Sequence, residues 1–373
     1  MKRKKQFMIL LFFIPFILAL VACGAGNTGG QSSGDSSDKK EAGLDSIKND
    51  SNSNPDGDSI NFGAHQPGIA YHSAASGISS VVSENIDGNL TVKPYSGPNA
   101  WMPALNSGEL DMGILSYADM AWAKDGKNGY PKKNPNIRML VRGNTIVTTG
   151  LTVRVEDDIQ NVADLKGKRV ASEYSGNQIL QQITTAQLQA SGLSWDDVEK
   201  VPVTDVDSGV EALRDGRVDA VFTGTPTVAT FTEVDTTKDI NGLNWAGVPP
   251  EDIDQYPEET VKKMESFVPG IQPATFKDGF LNKEKTLVSY PIGLAANADL
   301  SNEEAYTIVE VLWNNYEDLH AQFSWLETWA PEQMFDPEPP IPYHPGVVEF
   351  FEDEEIWTEK AEKHQEELLN EME

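Results

Sequence analysis

The sequence predicts an α/β protein whose body forms two domains or one two-lobed unit. Three observations carry this reading. Short apolar runs alternate with amphipathic stretches from Ser59 onward, the pattern of strands and helices following one another. About 315 residues run from Ser59 to Glu373, more than one compact core usually holds. Small and polar residues gather where predicted strands give way to helices.

Ser59–Ala64 reads as a strand and Ile69–Asn85 as a helix, with Ile69, Ala70, Ser73, Ala74, Gly77, Ile78, Val81 and Val82 along one stripe. Leu90–Tyr95 is a strand, Ala100–Ser107 a short helix and Met112–Ser116 a third strand. Leu151–Val155 follows as a strand and Val162–Leu165 as a helical turn. Arg169–Ser172 is a strand and Gln178–Ser191 a helix closed by Gly192. Val198–Val203 is a strand, Asp207–Gly216 a helix and Ala220–Thr223 a strand. Leu287–Ala296 is extended. Asn302–Gln322 is one long helix, with Ser301 and Glu304 as a capping box. The acidic tail Glu349–Glu373 reads as an amphipathic helix packed on the body.

The N-terminus has a different character. Lys2, Arg3, Lys4 and Lys5 precede an uncharged apolar run over residues 7–22, a secretory signal rather than a permanent span. Leu20-Val21-Ala22-Cys23-Gly24 resembles the bacterial lipobox. Cys23 is the only cysteine, so it has no disulfide partner within the chain. A lipidated thiol has a use there, because stable anchoring needs at least two acyl chains. Residues 23–58 are Gly, Ser, Asn, Asp and Lys with few apolar groups, a composition expected to form a flexible tether. The organisation expected is a signal over 1–22, a tether over 23–58, a first lobe from 59–150 plus 290–373, and a second from 151–289.

A formal net charge of −29 and a pI near 4.4 argue against nucleic acid and anionic lipid as partners. The five histidines show no metal-ligand spacing, and no Walker loop is present. No catalytic residue, metal or cofactor is therefore expected. Five loops lie at predicted strand ends: Gly63–Gly68, Tyr95–Asn99, Ser116–Asp119, Tyr174–Asn177 and Thr223–Thr227. In open α/β sheets ligands bind beyond the carboxyl ends of strands, near helix N-termini.

Several of these segments resemble one family. Gln66-Pro67-Gly68-Ile69-Ala70-Tyr71-His72 is similar to S-P-G-G-T-Y-Y of the TAXI family of TRAP-transporter solute receptors. Ala104–Asp111 resembles its L-L-x-S-G-E-x-D, Val162–Val170 and Ala212–Ala220 its second lobe, and His344-Pro345-Gly346 its C-terminal motif. The resemblance implies a type II periplasmic-binding-protein fold with a ligand cleft between two lobes. It also implies a lipid-anchored, extracytoplasmic receptor that hands a small carboxylate, such as an amino acid or dicarboxylate, to TRAP membrane subunits. A receptor for an ABC importer is the alternative. Ile69 replaces the family's second glycine, and Ser96-Gly97-Pro98 followed by Trp101 replaces a Gly-Gly-Ser loop followed by Asn. These departures bear on the ligand rather than the fold.

The expected ligand contacts follow from the loops. His65, Gln66, Gly68 and Tyr71 line the first lobe, with Ser96, Asn99, Trp101, Ser116 and Tyr117 beside them. Tyr174, Ser175, Asn177, Gln178, Thr223, Thr225 and Pro226 face them from the second lobe, with Pro226 expected at a helix N1 position. Arg142 is the candidate carboxylate clamp, since a guanidinium binds carboxylate in bidentate fashion. The chain is expected to cross between lobes near Thr148–Val153 and Leu287–Ala295.

Overall fold

The structure is a computed structural model that describes residues 59–372. The predicted signal, Cys23 and the tether lie outside the described residues.

The chain opens with β1 (Ser59–His65), α1 (Ala70–Asn85), β2 (Asn89–Tyr95), α2 (Pro98–Ser107) and β3 (Met112–Ser116). Both β2 and β3 pair with β1 in parallel. β1 is apolar along its centre because it is covered on both faces; Phe62 and Ala64 are fully buried. Helix α3 (Tyr117–Asp125) follows β3 directly, with the Ser116 hydroxyl accepting from the Asp119 amide at 2.9 Å. Sequence patterning missed α3, since it is buried nearly all round its first two turns and shows no polar face.

The long strand β4 (Ile137–Thr148) was also missed. Arg142 and Gly143 interrupt its apolar run. After Thr149 and Gly150 the chain enters a second sheet through β5 (Leu151–Arg154), β6 (Arg169–Glu173), α4 (Gln178–Ala190), β7 (Glu199–Val203), α5 (Val206–Arg214), β8 (Ala220–Phe222), α6 (Ala229–Lys238) and β9 (Ile240–Gly242). The order of this sheet is β7-β6-β8-β5-β9. Strands β6, β7 and β8 are parallel, and β5 is antiparallel to β8.

Helix α7 (Glu258–Glu265) packs on α4. Then β10 (Gln272–Phe276) and β11 (Lys285–Asn297) form a hairpin in the first sheet, whose order is β10-β11-β3-β1-β2 with β4 also on β11. Gln272–Phe276 and Lys285–Ser289, allotted by sequence to the second lobe, therefore hydrogen-bond within the first sheet. β4 and β11 pair from Thr148–Val288 to Ile137–Asn297, which makes a two-stranded spine leading to the second sheet.

The C-terminal helices return to the first sheet: α8 (Asn302–Asn314), α9 (Tyr316–His320), α10 (Pro331–Met334), α11 (Pro345–Asp353) and α12 (Glu359–Met372). The expected continuous helix over 302–322 breaks at Asn315, whose side-chain amide donates to the Val311 carbonyl at 2.8 Å. The expected single tail helix is likewise two, α11 and α12. Trp101 from α2 is fully buried and packs against Gly63 and Gly113, where an added Cβ would lie 3.3 and 2.4 Å from the indole.

Candidate functional site

A cavity with about 450 Å³ of atom-free space, its open mouth included, lies between the two sheets. It meets the carboxyl end of β1 at His65 and that of β8 at Phe222 and Thr223, the position the topology favours for a ligand. The lobes are closed on each other. Asn177 Nδ2 lies 2.9 Å from His65 Nε2. The Gln178 amide donates to Asn99 Oδ1 at 2.8 Å, and the Thr230 hydroxyl to the Gly68 carbonyl at 3.0 Å. Gly97 and Gly176 allow this approach. A Cβ on Gly176 would sit 2.2 Å from Ser96 Oγ, and one on Gly97 2.5 Å from the Gly176 carbonyl oxygen.

The first lobe contributes an aromatic wall. His65 stacks on Tyr71 at 4.4 Å between centroids and 21° between planes, and Trp325 meets Tyr71 edge-on at 5.2 Å. Burial, and secondarily His72, pushes the His65 imidazole down to about 3, so the ring is neutral at physiological pH. With Nε2 accepting from Asn177, Nδ1 carries the proton, and that buried atom has no partner. Asn177 Oδ1 is buried and unpartnered too. Exchanging the tautomer and the amide orientation together preserves one open donor and one open acceptor.

Asp119 lines the same cavity and is 1% exposed. Its Oδ2 accepts from the Ser116 hydroxyl at 2.6 Å and its Oδ1 from the Tyr130 hydroxyl at 2.8 Å. Burial pushes the carboxyl up to about 6 against the pull of those bonds. Tyr290 also lines the cavity.

The second lobe contributes neutral groups. Thr223 and Thr225 line the cavity, together with Phe222, Val206, Val228 and Phe231. Thr223 Oγ1 sits 2.6 Å from Thr149 Oγ1 and 2.7 Å from Thr152 Oγ1, and the Thr149 hydroxyl donates to the Gly224 carbonyl. With Thr149 committed as donor, the hydroxyls run from Thr152 through Thr223 to Thr149 at the crossing. Thr225 donates to the Val147 carbonyl of β4 at 3.0 Å. The turn presenting Asn177 is strained: Glu173 and Tyr174 have φ of 69° and 40°, which costs about 1–3 kcal/mol each for non-glycine residues.

Of the residues expected to contact ligand, His65, Tyr71, Asn177, Thr223 and Thr225 line this cavity. Gln66 and Ser96 border a narrow recess beside it with Asp205 and Asp207. Asn99, Gly68 and Gln178 join the lobes instead. The remaining candidates do not line this cavity. Trp101 is core. Ser116 stands behind the wall, holding Asp119. Tyr117 is buried beside Tyr343, Asp336 and Arg142. Arg142 is half-buried on β4, away from the cavity lining, so it is no clamp there. The buried Tyr174 hydroxyl accepts from the Phe222 amide at 3.0 Å and pins the strained turn. Ser175 is exposed. Pro226 is not at N1, because α6 starts at Ala229; its carbonyl accepts from the Phe280 amide at 3.3 Å. Asp119, Tyr290 and Trp325 were not anticipated. Only Asp119 left a trace in sequence, as an acid three residues past a capping Ser at a strand end.

A protein-family comparison matches residues 62–354 to the NMT1-like family. The chain belongs to the NMT1-like family. Among solved structures, this NMT1-like chain is similar to MatC of Rhodopseudomonas palustris with bound malate. Identity is 10%, coverage 84% of this chain and 99% of that one, and the TM-score 0.50. The alkanesulfonate-binding protein SsuA of Xanthomonas axonopodis pv. citri bound to MOPS also matches, at 14% identity, 81% and 95% coverage, and a TM-score of 0.42. The amino acid ABC transporter substrate-binding protein AbpA of Streptococcus pneumoniae, bound to L-arginine, matches at 14% identity, 73% and 95% coverage, and a TM-score of 0.42. The fold of this NMT1-like protein is that of the two-lobed periplasmic binding proteins.

Proposed function

We propose that the chain is an extracytoplasmic solute-binding receptor, tied to the cell membrane by a lipid on Cys23, that delivers a small molecule to TRAP-type membrane subunits. The observation that carries the binding reading is the seam itself. Buried, unpartnered polar atoms of His65 and Asn177 come from opposite lobes and belong to one cavity. Leaving such atoms unsatisfied is costly, and a ligand bonded to both would remove that cost only when the lobes are closed. A solute with such differential affinity shifts the hinge equilibrium; moving from 1:99 to 99:1 takes about 5.5 kcal/mol. The spine of β4 and β11 is where a hinge would act. Neutral His65, already committed to Asn177, fits binding rather than catalysis.

The TRAP assignment is supported by the ordered motifs from Gln66 to Gly346. Detergent-solubilised TRAP subunits should retain the ligand-loaded receptor on an affinity column, whereas retention by an ABC permease instead would reassign the partner. For the anchor, Cys23→Ser should move the protein from the membrane pellet to the soluble fraction. A variant that stays with membranes after a high-salt wash contradicts it.

A further inference from the structure

We propose that Asp119 receives a protonated nitrogen of the transported solute, so that the cavity takes cations and zwitterions and rejects small molecules lacking such a nitrogen. The inference rests on the cavity being the solute site and names what that site selects.

Asp119 has unfilled acceptor capacity. A carboxylate has about four lone-pair positions. Asp119 uses one on each oxygen, toward Ser116 and Tyr130, and both donors are uncharged. Among the described residues lining the cavity none is Lys or Arg, His65 is neutral, and the facing Tyr71 and Tyr290 are phenols. A buried carboxylate without a cation is expensive, and evolution usually supplies a partner. Asp119 lines the cavity, so a solute bound there can reach it.

An opposing field must be weighed. The first residues of α1, α4 and α5, and those just before α6, lie on the cavity, and a helix N-terminus favours an acceptor. Each such end is worth about half a charge. Part of that donor capacity is spent: the Gln178 amide on Asn99, and the Ser208 amide on Asp205 Oδ1 at 2.9 Å. The helix starts can thus hold an acceptor end of a solute, while Asp119, a full charge, takes the donor end. A dicarboxylate or sulfonate without nitrogen would set like charge against Asp119. Asp119 also closes a capping arrangement with Ser116, a role in which a neutral amide would serve. Solute selectivity, rather than folding, therefore separates the two roles.

The test uses a metabolite extract of the producing cells, split on a cation exchanger at low pH. Compounds with a protonated nitrogen are retained, and simple organic acids flow through. Each fraction is added to protein stripped of ligand by unfolding and refolding, and the rise in melting temperature is read. The retained fraction should stabilise the wild type, and Asp119→Asn should weaken that binding by about ten- to a hundredfold. Stabilisation by the flow-through alone, or an undiminished response in a folded Asp119→Asn, overturns the inference and leaves the receptor standing. Silence of the unfractionated extract removes the receptor reading as well. Should the variant fail to fold, the fraction preference of the wild type decides.

Discussion

The two lobes share a strand plan and divide the work on it. In the first sheet β2, β1 and β3 run parallel, and β11 lies antiparallel beside β3. In the second, β7, β6 and β8 run parallel, and β5 lies antiparallel beside β8. The antiparallel strand comes late in the first lobe's chain order and first in the second's, as two crossings require. The cavity faces differ. The first lobe brings the acid, the imidazole and the His65–Tyr71–Trp325 wall; the second brings threonines, one amide and apolar cover that includes Phe222 and Phe231. One scaffold thus serves as a reading face and as a neutral lid. The lid carries the strained turn at Glu173 and Tyr174, and the reading face carries the tightly packed Trp101.

If that division holds, the largest loss of stability falls in the first lobe. Trp101→Ala should cost about 3–5 kcal/mol by chemical denaturation, because the glycines beside the indole cannot fill the space. A loss below about 1 kcal/mol would mean that this core relaxes freely.

The pH response comes next in size, and both titrating groups stand on the reading face. The folded protein holds the Asp119 proton up to about pH 6, whereas an unfolded carboxyl releases it near 3.9. That contribution to stability is present below about pH 4 and is lost as pH rises through about 6, up to about 3 kcal/mol. His65 works in the opposite direction, since its folded value is about 3. Its contribution is present above about pH 6.5 and is lost as pH falls toward 3. Asp119→Asn should therefore make the ligand-free protein more stable at pH 7.5 and change little at pH 4, as read by urea titration at each pH.

The seam sharpens the comparison further. Gly176→Ala puts a methyl into Ser96, and overpacking costs about 1–3 kcal/mol. Because that penalty exists only when the lobes meet, binding should weaken by about five- to 150-fold with the ligand-free melting temperature unchanged. The smallest effect is expected for Asn177→Ala. Loss of one uncharged hydrogen bond, about 0.5–1.5 kcal/mol, should weaken binding by about two- to tenfold in calorimetry.

Sequence alone placed β1, β3 and β6 within about a residue, because each is a short apolar run with glycine or polar residues at its ends. It lost β4, where Arg142 and Gly143 break the run, and α3, where no polar face remains to mark the helix. The same logic governs the site. His65, Asn177 and Thr225 were legible because strand-end loops with small residues announce themselves locally. Trp325 and Tyr290 were not, since only the return of the C-terminal chain and the path of β11 bring them to the cavity. Trp101 and Tyr174 misled for the converse reason. An aromatic beside a glycine serves close packing as readily as ligand contact, and local sequence does not separate the two.

The central claim is that one solute is gripped by both lobes at once. Hydrogen exchange of stripped protein, with and without a metabolite extract of the producing cells, tests it most directly. The account predicts slowed exchange in the His65–Tyr71 loop and, in the same experiment, in the Tyr174–Gln178 and Thr223–Thr230 segments. Protection confined to one lobe, or found only away from the seam, would contradict it.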